Sequence, residues 1–285
     1  MTMESMEPFE SSENFNEDVG LFEAATHPVV LDFSPPPLKS IVIALDGSDR
    51  DATVREYANQ LAKQSGARVD TLQGGSGSGD ILSGVAVQHA DLLIVPVPFG
   101  QNYQELGSDS LGSVADQLLL KSSCPVLCVR QAQDASSVQA SLKSVLIPVA
   151  VADELVPQAL GWGFQITPKG GRLDLIAVAD RQVLSEAGHL MTDSRSPGQL
   201  NSNELSRALL RDIGGIVGAA QKRGVAEDRT IHVETRVGKF VPLTLAELHG
   251  KPHLIIWCVT REHSSPAFHR AVDLLLASSG AVLMV

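Results

Sequence analysis

Few stations along this 285-residue chain have residue types suited to chemistry. Asp46 follows the apolar run Ile41-Val42-Ile43-Ala44-Leu45 and precedes Gly47 and Ser48. A carboxylate at a strand end can accept hydrogen bonds from a ribose or help hold a metal. It can equally be a turn residue that caps the following helix. Gly112 and Ser113 open a helix predicted over 113–121. The free N–H groups and dipole of a helix start form an anion site. Glycine lets a phosphate approach the backbone, and Ser113 adds a hydroxyl. The alternative is an ordinary helix start capped by Ser110 or Ser113. Gly100 and Gly107, in the loop before that helix, could join a phosphate cradle.

Other clusters read as structural. Cys124 and Cys128 lie in a strand-like run whose period of two puts both on one face, and no second ligand pair follows at metal-finger spacing. His249, His253, His263 and His269 cluster in sequence beside Glu262, and their expected role is solvated or cap-forming. A serine elbow, a paired-carboxylate spacing and a Walker glycine-lysine loop are all missing from the sequence, so catalysis is not expected.

These stations need elements to hold them. From Lys39 onward short apolar runs alternate with helical stripes: strands at 41–45, 68–72, 92–95 and 125–129, and helices at 51–64, 80–89 and 113–121. Val54, Tyr57, Ala58, Leu61 and Ala62 make one apolar stripe on the first helix, which Gly66 stops. Alternating βα units imply a parallel, doubly wound sheet.

At Lys143 the pattern restarts. Lys39-Ser40-Ile41-Val42-Ile43 is echoed by Lys143-Ser144-Val145-Leu146-Ile147, and 120–129 aligns without a gap on 276–285. Matched starts and ends indicate an internal duplication. The expected organisation is a unit over 39–131, a linker over 132–142 and a second unit over 143–285. A polar insertion spans 180–202, and the strand at 281–285 is expected at a sheet edge or an interface. The first unit is the shorter by about one helix and one strand. The deficit falls at Gln73-Gly74-Gly75-Ser76-Gly77-Ser78-Gly79, which has the composition of a synthetic flexible linker. An engineered replacement of a longer native segment accounts for it; a natural glycine loop is the alternative.

The net charge of −11 is uneven. Residues 1–38 hold eight acids and no Lys or Arg, which reads as a solvating leader or as a segment whose Phe9, Phe15, Leu21 and Phe22 dock into a groove on a partner or on the chain's own body. The remainder has no cation cluster for a polyanion, so nucleic-acid binding is not expected. Three cysteines in apolar runs, no apolar stretch near membrane-span length and no basic-then-apolar leader point to a soluble cytoplasmic protein without membrane insertion.

Four stretches resemble the universal stress protein family: Ile43-Ala44-Leu45-Asp46-Gly47-Ser48, Ala90-Asp91-Leu92-Leu93-Ile94-Val95, Leu111-Gly112-Ser113-Val114-Ala115, and Cys124-Pro125-Val126-Leu127-Cys128-Val129-Arg130. The resemblance implies a tandem member with two Rossmann-like parallel sheets of strand order 3-2-1-4-5, and pairing of its halves. It also implies a regulatory rather than enzymatic role, with ATP or AMP and Mg bound between the first and fourth strands of the first unit. Asp46, Gly47, Gly100, Gly112 and Ser113 would form that site. The family's Gly-x₂-Gly-x₉-Gly-Ser/Thr spacing falls on Asn102 and Phe99 counting back from Gly112, and on Pro96 and Phe99 counting forward, never on glycine. In the second unit Ala150 takes the place of Asp46, and Phe268 and His269 those of Gly112 and Ser113. The alternatives are a member that binds no nucleotide and acts by protein contact, as a homodimer or with a partner through edge strands or the acidic leader, and a slow ATPase or nucleotidyl-transfer enzyme.

Overall fold

The computed structural model describes residues 33–73, 77–100, 110–149, 155–179, 202–246, 248, 251–259, 261 and 265–285. Strands β1 (Ser40–Ala44), β2 (Arg68–Leu72), β3 (Leu92–Pro96) and β4 (Val126–Val129) alternate with helices α1 (Asp51–Ser65), α2 (Ser78–Val87) and α3 (Ser113–Lys121). Helix α4 (Ala135–Lys143) leads to β5 (Ser144–Val149). Then come α5 (Val156–Ile166), β6 (Arg172–Ala179), α6 (Ser202–Ala226), β7 (Thr230–Val237), α7 (Phe240–Ala246), β8 (Leu254–Trp257), α8 (Pro266–Ala277) and β9 (Ala281–Met284).

All nine strands form one sheet, in the order β2-β1-β3-β4-β9-β8-β5-β6-β7. Strands β5–β9 are parallel and read 3-2-1-4-5 when numbered within their half, as expected. Strands β1–β4 are parallel and follow the same order without its third strand. The missing strand is the shortening foreseen at the glycine-serine stretch, of which residues 74–76 lie outside the described part. The halves join where β4 and β9 pair antiparallel, with Leu127 opposite Leu283 and Cys128 opposite Val282. The two expected sheets are thus one continuous sheet with a single change of strand direction.

The composition explains the layering. β1, β3, β4, β8 and β9 are buried throughout, as suits strands covered on both faces. Ile41, Ile94, Leu127, Leu283, Leu254 and Ile147 look to one helical layer, and Val42, Val95, Cys128, Val282, Ile255 and Leu146 to the other. Each core runs across the seam. Cys124 and Cys128 share a face, as their spacing predicted, and both are buried free thiols.

Two expectations change. The segment 132–142, foreseen as a linker, is largely α4: Asp134 caps it by accepting the Ser137 N–H (2.7 Å), and Val138 and Leu142 are buried. Helix α6 starts at Ser202, the last residue of the stretch foreseen as a polar insertion. Residues 1–32 and 180–201 lie outside the described part. Just beyond the first of these, Phe33 is buried and stacks on Phe164 of α5 (centroids 5.6 Å apart), and the Arg223 guanidinium lies over both rings. Arg223 also donates to the Phe33 carbonyl (2.7 Å). Gly161 admits this crossing: a Cβ there would stand 2.9 Å from the Ser34 carbonyl oxygen.

Candidate functional site

The loops that leave β1 and β3 emerge side by side, because those strands are parallel neighbours with Ile43 opposite Ile94. Both strands then turn on glycines held at positive φ, Gly47 (+84°) and Gly100 (+66°). This is the crevice where the strand order reverses, the usual place for a ligand in an open α/β sheet.

Here Asp46 ties the loops together. Its Oδ1 accepts the Ser48 N–H (3.0 Å), which forms the local turn of an Asx motif. Its Oδ2 accepts the Gly100 N–H (2.9 Å) and a donor of Arg50 (3.2 Å). The Asp46 side chain is 2% exposed and that of Arg50 6%. Burial pushes the carboxyl pKa up, but the hydrogen bonds from Ser48 and Gly100 and the Arg50 charge outweigh it and hold the pKa below its ordinary value. Helix α1 takes no cap from Asp46. Asp51 reaches back instead, accepting the N–H groups of Asp46 (3.1 Å) and Gly47 (2.9 Å).

Gly112 is the residue before α3, at φ +82° and ψ 150°, a conformation that strains any residue with a Cβ. Its N–H is taken by the Ser110 hydroxyl (3.2 Å). Ser113 is the first residue of α3 and is exposed. The structure therefore brings Asp46, Gly47 and Gly100 together. Among the described residues no hydrogen bond ties them to Gly112 or Ser113. Phe99, where the family spacing calls for glycine, is 4% exposed and packs with Val97 and Leu111 in the core. Residues 101–109, including Asn102 and Gly107, lie outside the described part.

An adenine nucleotide with Mg fits these residues poorly. The carboxylate that would meet ribose or metal has both oxygens engaged, and the Gly100 N–H points at it rather than outward. Among the described residues no three His, Cys, Asp or Glu side chains converge as a metal site.

In the second half Ala150, His249 and His263 lie outside the described residues. Helix α8 has 12 residues against 9 in α3, with Ser265 as its N-cap. Phe268 therefore sits inside the first turn, buried in the core, and not at the helix start where residue counting placed it. His253 and His269 do not meet: His253 is buried just before β8, and His269 is exposed on α8, beyond the other end of that strand.

Sequence reasoning missed the groups that fasten the halves. Arg130, 7% exposed, donates to the Leu275 carbonyl (3.1 Å) and to that of Leu276 at the end of α8. Arg261 donates to the carbonyls of Ser122 and of Cys124 (2.8 Å) beyond the end of α3. Each half thus sends a cation to the carbonyl end of the other's last helix, where the helix dipole favours it. The available signal was an arginine just past a buried apolar strand. Asp91, inside a recognised motif, accepts the N–H groups of Lys39 (2.7 Å) and Ser40 (2.9 Å) and sets the start of β1 against β3. Beside Arg261 lies a cavity of about 390 Å³, bounded by Ser122–Pro125 from one half and by Gln158 and Val259 from the other.

Among the described residues no helix is long and apolar enough to cross a membrane. No protein-family model and no curated protein matches the chain. Among solved structures, a universal stress protein from Archaeoglobus fulgidus is similar over 89% of this chain and 97% of its own, at 13% identity and a TM-score of 0.54. A functionally unknown protein from Pseudomonas aeruginosa is similar over 98% of this chain and 90% of its own, at 16% identity and a TM-score of 0.46.

Proposed function

From a fold shared with a universal stress protein, we propose that this chain is a tandem, non-enzymatic regulator of the cytoplasm that acts by protein contact, without a bound nucleotide. The observation that carries this reading is the closed state of Asp46. Three donors from its own loops engage both carboxylate oxygens, and the side chain stands 2% exposed in the crevice where a ribose or a metal would have to reach it. Opening it to a ligand breaks this charge-assisted set of hydrogen bonds, a net cost on the order of 1–3 kcal/mol.

The rival reading is an ATP or AMP phosphate at Gly112 and Ser113. The positive φ of Gly112 and the exposed position of Ser113 at the start of α3 favour it. Thermal unfolding with millimolar ATP, AMP and Mg separates the two, because a ligand that binds only the folded state raises Tm. An unchanged Tm is the expected outcome. A rise that depends on nucleotide concentration and is lost in Gly112→Val would replace the first reading with the second.

A further inference from the structure

The first half ends its sheet on a strand edge that the second half covers. Strand β2 corresponds to β6. Arg68 stands opposite Ser40 on β1 as Arg172 stands opposite Ser144 on β5, so Val69, Asp70 and Thr71 match Leu173, Asp174 and Leu175. The outer edge of β6 pairs with β7 along its whole length, from Arg172 opposite Thr230 to Ala179 opposite Val237. Among the described residues β2 has no such neighbour. Residues 73–77 alone separate it from α2, too few for a strand and its crossover.

The Arg68 N–H donates to the Lys39 carbonyl (2.9 Å), and the Leu72 carbonyl accepts the Leu45 N–H (3.1 Å). Arg68, Asp70 and Leu72 thus turn their main-chain groups to β1, and those of Val69 and Thr71 point away from the sheet. Apolar surface flanks this edge. Val69 is half-buried against one core and Leu72 against the other. Val87, 71% exposed, ends α2 beside the edge, where Arg68 donates to the carbonyl of the next residue, Gln88. The second half shows what the edge lacks. Asp174 has two basic partners, Arg172 on its own strand (2.8 Å) and His232 directly across on β7 (3.3 Å). Among the described residues Asp70 has the first kind alone, Arg68 at 3.3 Å, and its side chain is 35% exposed against 11% for Asp174.

We propose that a second copy of this chain covers the β2 edge with its own β2, antiparallel, about a two-fold axis at Val69. In this register the two Val69 main chains exchange both hydrogen bonds, and Arg68 of each copy faces Asp70 of the other. Those facing positions lie between the hydrogen-bonded pairs, where side chains approach most closely. Arg68 of the second copy thereby gives Asp70 the cross-strand basic neighbour that His232 gives Asp174. A two-fold axis at Asp70 would set two carboxylates against each other, and one at Thr71 would set Asp70 against Leu72. Charge therefore selects one register, and the edge is its own complement, as a two-fold contact requires. A five-residue strand makes a small interface, so association in the micromolar range is expected. The contact supplies a partner for the protein-contact reading above and rests on that reading. The two fail separately: a nucleotide-dependent Tm counts against the reading, and a chain that stays monomeric counts against the contact.

Sedimentation equilibrium of the full chain, from low-micromolar to sub-millimolar concentration, should show a monomer–dimer equilibrium. Asp70→Arg turns two attractive pairs into repulsive ones and should weaken it about tenfold. Arg68→Asp should do the same. An equimolar mixture of these two variants restores opposite charges at both pairs and should recover the wild-type affinity as a heterodimer, which a merely destabilised fold would not do. Thr71→Pro removes an outward N–H without touching the ladder to β1, so it should weaken the dimer even if the charge variants do not fold. Hydrogen exchange at the Val69 and Thr71 amides should slow as concentration rises. A monomer at every concentration would overturn the proposal. So would a dimer equally tight in Thr71→Pro and Asp70→Arg, a mixture that recovers nothing, or protection of those two amides in the monomer, which would mean that the chain covers its own edge.

Discussion

At the foot of the sheet Asp91 and Cys124 of the first half stand where the second half has His253 and Gly280. Asp91 accepts two backbone N–H groups at the start of β1. His253 has a different set of partners. Its Nδ1 lies 2.8 Å from the Lys251 carbonyl, which can only accept, so Nδ1 carries the proton and Nε2 accepts from the Ser278 hydroxyl at 3.3 Å. The imidazole needs the room that Gly280 leaves: a Cβ there would stand 2.5 Å from the His253 carbonyl oxygen and 2.7 Å from its ring. Shape and hydrogen bonding have been exchanged between two neighbours, and the strand order of the two halves is unchanged. The fold tolerates wide chemical divergence when volume is conserved locally.

The largest expected effect tests whether the halves are separable. Leu283 is fully buried in the seam opposite Leu127. Leu283→Ala should cost about 2–5 kcal/mol, and urea unfolding should still show one transition, because both cores cross that seam. Two resolved transitions would mean that the halves unfold separately and that the seam is a weak contact.

A smaller effect sharpens the paired positions at the foot of the sheet. Gly280→Cys installs the first half's residue in the second and should cost about 1–3 kcal/mol through overpacking. Adding His253→Asp makes the local pair match the first half and should recover part of that loss, a non-additivity expected only of touching residues. Strict additivity in the double variant would refute the exchange.

The smallest concerns Asp46, where the second half carries alanine in sequence. Asp46→Ala removes the carboxylate that accepts from the Gly100 and Ser48 N–H groups and from Arg50, a loss of about 1–3 kcal/mol at pH 7. Because the folded-state pKa is lowered, the wild-type advantage is complete above the unfolded value of about 3.9. It fades as the pH falls through the folded value. A wild-type–mutant difference that stays constant from pH 7 to pH 3 would show that the carboxylate charge contributes nothing.

Most elements could be read from the sequence, because buried parallel strands announce themselves as short runs of Val, Ile and Leu. The duplicated Lys-Ser start and the matched C-terminal tens located both halves, and the deficit at the glycine-serine stretch foretold the missing strand. Helix α4 was harder to see, since Ala135-Ser136-Ser137 has weak helical character and the helix rests on Val138 and Leu142 packing into a core shared by the two halves. The candidate site was legible only in part. Asp46 and Gly100 are far apart in sequence, and their mutual hydrogen bond depends on how two loops close. The residue type gave two readings for Asp46, and the distances favour the turn. The roles of Arg130 and Arg261 escaped notice because carbonyl oxygens, to which both donate, leave no mark in a sequence.

The antiparallel seam has a consequence for biosynthesis. β4 emerges from the ribosome about 150 residues before β9. At ~5–20 residues per second its outer edge waits on the order of ten seconds for its neighbour. Throughout that interval a nascent chain offers the bare edge of a hydrophobic strand, Val126 to Val129, to any other nascent chain nearby. Production of this protein should therefore be more sensitive to translation speed and to chaperone supply than the stability of its finished sheet would suggest.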